Sequence, residues 1–242
     1  MIQVEEHWFD RTALLLGAEA IERLSQAHVL VVGVGGVGSA VVEQLVRAGV
    51  GRMTLVDADT VQLTNLNRQL PALTSSLGRS KVQVMGERMK DINPSLEVTL
   101  IEQYLTEDDT EALVTGGGYD FVVDAIDTLT PKVSLLYHCL SNAIPVVSAM
   151  GAGGKVDPSQ IRLADISKTI QCPLARVVRR ELRLRGIERG LTVVFSTEKS
   201  NKDAVVQTTG ERNKRSTTGT VSYMPVLFGC HLAAFVIQQL TR

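Results

Sequence analysis

The chain has 242 residues, an apolar content of 44% and a formal net charge of −1 at pH 7. That length suits one large domain with a substantial core. The near-zero charge excludes a protein-wide attraction to nucleic acid or anionic membrane, so any such contact must use a local patch. The 3 cysteines lie far apart and form no Cys-x-x-Cys pair, which predicts a reducing, cytoplasmic setting and no structural zinc.

Residues 1–27 predict an N-terminal helical segment. Ile21 and Leu24 fall on one face of a helix that should end near Gln26. Thr12 is a candidate N-cap, and this would place Arg11 at a loop–helix junction. Taken alone, Arg11 is equally well explained as a solvated surface charge.

A strand, a glycine-rich turn, a helix and a second strand are predicted next. The apolar run 28–32 predicts the first strand, 39–48 the helix and 53–56 the second strand. The turn contains Gly33, Gly35, Gly36 and Gly38. Glycines let the backbone turn tightly and approach phosphates, toward which the following helix points its free N–H groups. The pattern therefore predicts a nucleotide-binding turn.

Charged side chains follow the second strand. Asp57 and Asp59 come about 20 residues after the glycines, where an acid suits ribose hydroxyls. Arg68 carries a permanent charge and a planar fork of donors that matches phosphate oxygens. Lys81 begins a helical pattern over 81–92, where a cation gains nothing from the helix dipole. That conflict leaves two interpretations, a solvated lysine or a contact with a ligand.

Three more segments, 96–101, 120–125 and 144–150, predict strands separated by helices, and 121–123 in the middle one is a continuous apolar run. This alternation favours an α/β fold with a Rossmann-like, mostly parallel sheet flanked by helices. Asp124 and Asp127 lie at the carboxyl end of the middle run. A carboxylate there suits Mg²⁺ near phosphates, or it caps the helix predicted over 131–141, and the pattern leaves both interpretations open.

After a nucleotide-binding core over 28–163, residues 164–222 form a basic variable region. Arginines dominate a predicted helix over 173–185 and recur further on. The first group is Arg176, Arg179, Arg180, Arg183 and Arg185, and the second is Arg212, Lys214 and Arg215. This pattern fits either a solvated helix face or a surface for a phosphate backbone.

Residues 223–242 are the most apolar part of the chain. Pro225, His231 and Gln238 interrupt the apolar pattern. Because a membrane span needs about 20 mostly apolar residues, we expect a buried C-terminal helix and no membrane contact.

Together these motifs resemble the superfamily of ubiquitin-activating-enzyme-like adenylyltransferases, which includes the molybdopterin- and thiamine-biosynthesis (MoeB/ThiF) enzymes. The matching elements are the turn 33–38, Asp57-x-Asp59, the string 65–69, Lys81 and Asp124-x-x-Asp127. The glycine turn alone fits a dehydrogenase equally well. It is the combination with later phosphate-binding cations that indicates an enzyme acting on ATP.

The resemblance implies a role for each matching residue. Gly35 and Gly36 would approach ATP, Asp57 the ribose, and Asn67, Arg68 and Lys81 the phosphates. Gly33, Gly38, Asp59 and Asn65 complete the implied nucleotide site. Asp127 would hold Mg²⁺, and a monovalent cation is a further candidate. Arg11 resembles an arginine that reaches into the partner subunit's site, which implies a homodimer and makes Arg11, Arg68, Lys81 and Asp127 the implied catalytic group.

Within that superfamily the chain most resembles the tRNA threonylcarbamoyladenosine dehydratases. The strings that carry this likeness are 92–94, 124–127, 151–158, 168–174 and 195–198. It implies ATP-dependent adenylation of the carboxylate of N6-threonylcarbamoyladenosine in tRNA, followed by ring closure with net loss of water. The basic region, 176–215, would then contact tRNA. Cys172 departs from the family pattern, which usually has Asp before that proline, and 201–215 also diverges.

Two other functions are weighed against this one. The first is an adenylyltransferase that activates the C-terminus of a ubiquitin-like or sulfur-carrier protein, although those relatives resemble one another in Cys-x-x-Cys zinc ligands that this chain lacks. The second is a nucleotide-binding scaffold without turnover. A thiol accepts the acyl group in ubiquitin-activating relatives, and Cys172, in basic surroundings, is the best placed here. Otherwise Cys172 is incidental, and Cys139 and Cys230 are expected in the core.

Overall fold

The computed structural model describes residues 7–207 and 216–242. Helices α1 (Asp10–Leu16) and α2 (Ala18–Gln26) form the N-terminal segment. Helix α1 begins at Asp10, so the expectation of an N-cap at Thr12 is wrong. The Asp10 carboxylate accepts a hydrogen bond from the His7 N–H at 3.0 Å and closes the first turn earlier. Arg11 therefore lies inside the helix.

A seven-stranded sheet forms the centre of the described structure. Its strands are β1 (His28–Val32), β2 (Arg52–Val56), β3 (Glu97–Ile101), β4 (Phe121–Asp124), β5 (Val146–Ala149), β6 (Ile161–Asp165) and β7 (Thr192–Ser196). The strand order is β3-β2-β1-β4-β5-β7-β6, and β6 runs antiparallel to β7 while the other pairs are parallel. The prediction of a mostly parallel, Rossmann-like sheet is confirmed.

Helices cover both faces of this sheet. They are α3 (Gly38–Ala48), α4 (Lys81–Ile92), α5 (Glu107–Gly116), α6 (Leu129–Ser141), α7 (Pro173–Leu184) and α8 (Tyr223–Leu240). Alternate residues of β1 enter two separate apolar clusters. Val29 and Val31 pack with α3, α4 and α8, whereas Leu30 and Val32 pack with α5, α6 and α7. This two-sided burial explains why the strand reads as a continuous apolar run.

Helix α8 is long and apolar enough to cross a membrane by length and composition alone. In this fold one of its faces packs against α3. A Cβ added to Gly229 would lie 2.5 Å from the Val37 carbonyl oxygen, so the two helices touch through their backbones. Met224, Phe228 and Leu232 are fully buried on this face. Helix α8 is thus part of the core, as expected.

A two-stranded antiparallel ribbon, β8 (Val205–Gln207) with β9 (Ser216–Thr218), lies apart from the main sheet. The sequence patterns did not predict it. The basic residues Arg212, Lys214 and Arg215 lie outside the described residues.

Candidate active site

The glycine turn joins the carboxyl ends of three neighbouring strands. The Gly33 N–H donates to the Val56 carbonyl and the Ala125 N–H donates to the Val32 carbonyl, both at 2.8 Å. Gly33 has a φ of +89°, and a Cβ there would lie 2.7 Å from the Ala125 oxygen. A Cβ on Gly38 would lie 1.7 Å from the Gly33 oxygen. These two glycines are therefore required by the turn itself.

The middle of the turn offers space for a ligand. A Cβ on Gly36 would meet Pro225 at 3.0 Å and the Arg68 carbonyl at 3.2 Å, so this side is closed. A Cβ on Gly35 would have only the Gln69 amide within 4 Å, with its Nε2 at 3.7 Å. Within the described residues, Gln69 Oε1 is buried without a hydrogen-bond partner. An open backbone cradle beside an unsatisfied amide fits a polar ligand such as a nucleotide.

Asp57 holds the glycine turn and its own loop together. Its carboxylate accepts hydrogen bonds from the Val34 N–H at 2.6 Å and the Asp59 N–H at 2.8 Å. Burial raises the pKa of the Asp57 carboxyl, although the Lys81 charge and these two N–H groups act in the opposite direction. Asp57 therefore lies beneath the turn, where an acid can also accept from ribose hydroxyls.

Lys81 begins α4, as predicted, and points toward the same loop. Its Nζ donates to Asp59 Oδ2 at 2.7 Å, and its backbone N–H donates to the Asp59 carbonyl at 3.0 Å. The Lys81 side chain is 6% exposed, whereas that of Asp59 is 72% exposed. Asp59 thus positions the lysine at the solvent boundary beside the glycine turn.

The string 65–69 forms a compact turn above the glycines. Asn65 is buried, its Oδ1 accepts from the Gln62 N–H at 3.0 Å, and its carbonyl accepts from the Arg68 and Gln69 N–H groups. Asn67 Nδ2 donates to the Thr220 carbonyl at 2.9 Å, just before α8. The Arg68 guanidinium donates to Thr64 and Asn67 oxygens, both at 2.9 Å. In this arrangement Asn65 shapes the turn, and Arg68 is held by it.

The two aspartates after β4 have different surroundings. Asp124 is fully buried, and its carboxylate accepts from Lys132 Nζ and Ser148 Oγ, each at 2.6 Å. The suggestion that Asp124 binds Mg²⁺ or caps a helix is therefore wrong, because its oxygens are taken inside the core. The N-cap of α6 is Thr128, not Asp127. Asp127 is exposed on the loop between β4 and α6.

Lys132 is the residue that the sequence reasoning missed. It is fully buried on α6 and donates to Ile126 O at 2.9 Å in addition to Asp124. The Lys132 ammonium thus fixes the short loop that leads to Asp127. Ala125 of this loop packs against the glycine turn. The available signal was Lys132 as the lone charged residue within the run 131–136, which is otherwise uncharged and mostly apolar.

The structure does not bring Arg11 to the glycine turn of its own chain. Trp8 and Phe9, just before α1, line a cavity of about 590 Å³ together with Gly51 and Glu97. Those residues lie at the amino ends of β2 and β3, whereas the glycine turn lies at the carboxyl end of β1. A strand of five residues separates the two edges by about 16 Å.

The cysteines are all free thiols. Cys172 is buried at the N-cap of α7, where its Sγ lies 3.7 Å from the position of a Cβ added to Gly151. Cys139 is buried, as expected, and burial, with the Asp124 charge, raises its pKa to about 12. Cys230 is half-buried.

Within residues 7–207 and 216–242, no three His, Cys, Asp or Glu side chains cluster as a metal site.

Comparison with known proteins identifies the family. The sequence matches the model of the ThiF family over residues 9–242. The chain belongs to the ThiF family. This ThiF protein is 48% identical over 192 residues to the tRNA threonylcarbamoyladenosine dehydratase of Bacillus subtilis, covering 79% of this chain and 75% of that one. It is 42% identical over 207 residues to the Escherichia coli enzyme of the same name, covering 81% and 77%.

A solved structure gives the same assignment. The crystal structure of the Escherichia coli dehydratase in complex with ATP superposes with a TM-score of 0.86 and 38% identity. The match covers 96% of this ThiF chain and 93% of that chain. The resemblance to adenylyltransferases, and to the dehydratases among them, is therefore confirmed over nearly the whole fold.

Proposed function

We propose that this protein catalyses the ATP-dependent dehydration of N6-threonylcarbamoyladenosine in tRNA. The observation that carries the proposal is that this chain superposes almost completely on a dehydratase crystallised with ATP. In addition, the glycine turn of this chain is open at Gly35. Asp57 below that turn and Lys81 beside it supply an acceptor for ribose and a cation for phosphate at the same edge of the sheet.

The proposed reaction has two bond-forming steps. ATP supplies an adenylyl group: a carboxylate oxygen of the substrate bonds to the α-phosphorus and pyrophosphate leaves. A second nucleophile of the same substrate side chain then attacks the activated carbonyl, AMP leaves and a ring closes, with net loss of one water. Ring closure is intramolecular, so correct orientation accelerates it without an enzyme nucleophile.

The side chains of this chain would act mainly through charge and position. Lys81 would exchange its exposed partner Asp59 for phosphate oxygens, and Arg68 would present donors from the turn that holds it. Preorganised cations of this kind stabilise charge that develops on a transferring phosphoryl group. Helix α3 begins at Gly38, so the positive end of its dipole lies at the same turn. The Gln69 amide, beside Gly35, would satisfy its buried oxygen through a ligand hydroxyl or a water.

Asp127 is the residue that would hold Mg²⁺. It is an exposed carboxylate on the loop fixed by Lys132. Mg²⁺ is commonly bound by one or two carboxylates together with substrate phosphates, which suits a site without a protein-only cluster of ligands. When bound, the ion would offset phosphate charge. A monovalent cation at this edge is a further candidate, and activity measured after chelation and after exchange of K⁺ for Na⁺ tests both.

A homodimer that supplies Arg11 in trans forms part of the proposal. Arg11 is exposed on α1, which lies at the edge opposite the glycine turn of its own chain. The same helix exposes Leu14 and Leu15, which are 88% and 82% accessible. Apolar exposure on this scale is typical of a surface that another chain covers.

We place the enzyme in the cytoplasm, where tRNA and reduced thiols are found.

The decisive experiment follows the nucleosides of the tRNA by mass spectrometry. The purified protein, ATP and Mg²⁺ are incubated with tRNA that carries threonylcarbamoyladenosine. We expect that nucleoside to lose one water, with AMP and pyrophosphate released in equal amounts, and no change without ATP. Pyrophosphate exchange that depends on a carrier protein ending in Gly-Gly, but not on tRNA, would instead establish the carrier-protein activity. ATP binding without any turnover would establish the scaffold.

A further inference from the structure

Positive charge is concentrated in one part of this nearly neutral chain. Residues 162–189 contain eight Arg and Lys against three Asp and Glu, a net charge of +5. Because the whole chain carries −1, the remainder carries −6. The helix α7 lies in this basic segment, so a polyanion would be attracted to the surface that α7 presents.

The structure separates the arginines of α7 by role. Arg179 is half-buried and donates to Thr169 Oγ1 at 2.6 Å and to the Ile166 carbonyl at 3.1 Å, which anchors the helix to the preceding segment. Arg176, Arg180 and Arg183 are exposed. Their spacing of four and three residues places them on one face of the helix. We call these three residues the arginine stripe.

The arginine stripe borders an open groove of about 430 Å³, which Ser167 and Glu188 also line. Arg180 pairs with Glu181 at 2.7 Å and Arg183 pairs with Glu188 at 3.3 Å. The two arginine side chains are 68% and 74% exposed. Exposed pairs of this kind contribute little to the stability of a protein. A polyanion can therefore take over both guanidinium groups at little cost.

The arginine stripe begins near the active edge of the sheet. Cys172, which precedes α7, lies beside Gly151, and Gly151 follows the carboxyl end of β5. From there the helix runs toward the opposite edge, where Arg179 meets Ile166. At 1.5 Å per residue the stripe spans about 10 Å, a length over which one strand of a duplex carries about three phosphates.

We propose that the arginine stripe docks the phosphate backbone of the RNA substrate and aligns it with the active edge. This inference rests on the proposed function. Because aromatic side chains do not accompany the arginines on α7, the contact would position the RNA through its charge, without stacking on or reading its bases. Affinity would therefore depend strongly on salt.

The test compares two double variants of equal charge. Arg180→Gln with Arg183→Gln removes two glutamate-paired arginines from the stripe. Arg23→Gln with Arg47→Gln removes two from α2 and α3, where they pair with Glu19 and Glu43. tRNA affinity is measured over a range of salt concentrations, and KM is measured separately for tRNA and for ATP.

We expect the stripe variant to bind tRNA several-fold more weakly, with the slope of log affinity against log salt smaller by about 2. The KM for ATP and kcat at saturating tRNA should not change. The lysine variant, Arg180→Lys with Arg183→Lys, should restore binding, and the control pair should behave as wild type. Normal thermal unfolding and an unchanged KM for ATP identify variants that have folded correctly.

Two results would overturn the inference. They differ in whether the proposed function also fails. If wild type dehydrates tRNA but the stripe and control variants have the same tRNA affinity and salt slope, the stripe is not the docking surface and the proposed function stands. If wild type binds no tRNA and acts on a carrier protein, the proposed function fails and the docking surface fails with it.

Discussion

Two lysine–aspartate pairs flank the candidate site, and they differ in burial rather than in contact distance. Lys132 Nζ lies 2.6 Å from Asp124, with both side chains fully buried. Lys81 Nζ lies 2.7 Å from Asp59, whose side chain is 72% exposed. The buried Asp124 satisfies its remaining lone pairs with Ser148 and Ile126, whereas water can replace Lys81 at Asp59. The first pair is thus a fixed clamp and the second can be exchanged for a ligand.

The largest effect is expected from breaking the buried pair. Lys132→Met keeps the length of the side chain but leaves Asp124 charged and unpaired in the core, which costs about 3–5 kcal/mol. Urea unfolding at pH 7 measures the loss in the free energy of unfolding. Adding Asp124→Asn should recover part of that loss, since it removes the stranded charge. A loss below about 1 kcal/mol for Lys132→Met would contradict the clamp.

Breaking the pair between buried Lys81 and exposed Asp59 should affect turnover instead. Lys81→Met leaves Asp59 in water, so the free energy of unfolding should change by less than about 1 kcal/mol. Loss of a preorganised cation next to the phosphates should lower kcat by about 10²–10³-fold. Release of AMP under saturating ATP measures this effect. Equal destabilisation by Lys81→Met and Lys132→Met would remove the distinction between the two pairs.

A smaller effect is expected on the pH dependence of stability when Lys81 is removed from its pair with Asp59. Burial raises the pKa of Asp57, and the Lys81 charge opposes that rise. An acid with a raised pKa in the folded protein costs stability when it is ionised, and the cost disappears as the pH falls through that pKa. Lys81→Met should increase this cost. Its deficit in unfolding free energy relative to wild type should therefore narrow as the pH falls from 7 toward 4, and a constant deficit would argue against the coupling.

The effect on thiol chemistry is smaller still. The pKa of Cys139 is raised to about 12 by burial, with the Asp124 charge adding to it. Only about one thiol in 10⁴ would then be ionised at pH 8. Mass spectrometry after brief iodoacetamide treatment should show Cys139 unmodified in the native protein and modified after unfolding. Rapid native labelling would mean that the core around the buried pair opens readily.

The smallest effect is expected at Cys172. It is buried beside Gly151, and ring closure within the substrate needs no thioester. Cys172→Ser should keep turnover within about twofold of wild type, measured by nucleoside mass spectrometry. A loss of several orders of magnitude with normal folding would instead indicate that this thiol carries the acyl group.

Local sequence patterns predicted most of the fold and the position of the site. The run 28–32, the glycine turn and the start of α4 at Lys81 follow from periodicity and glycine content, which act between residues close in the chain. Such patterns could not predict which partner a charged side chain would meet. Asp124 and Asp127 follow the same predicted strand and carry the same side chain. Asp124 is nevertheless buried against Lys132, whereas Asp127 is exposed.

The sequence by itself determined the α/β class, the nucleotide turn and the family, because each depends on residue types at short, regular spacing. Only the tertiary structure decided that Asp124 belongs to a buried clamp, that Arg11 lies at the far edge of its own chain and that Arg179 anchors α7 while its neighbours remain exposed. These outcomes depend on contacts between distant segments, such as Ser148 with Asp124. The energy of a charge is set by the groups that surround it in space. Those groups come from distant parts of the chain, so the residues next to the charge in sequence do not reveal them.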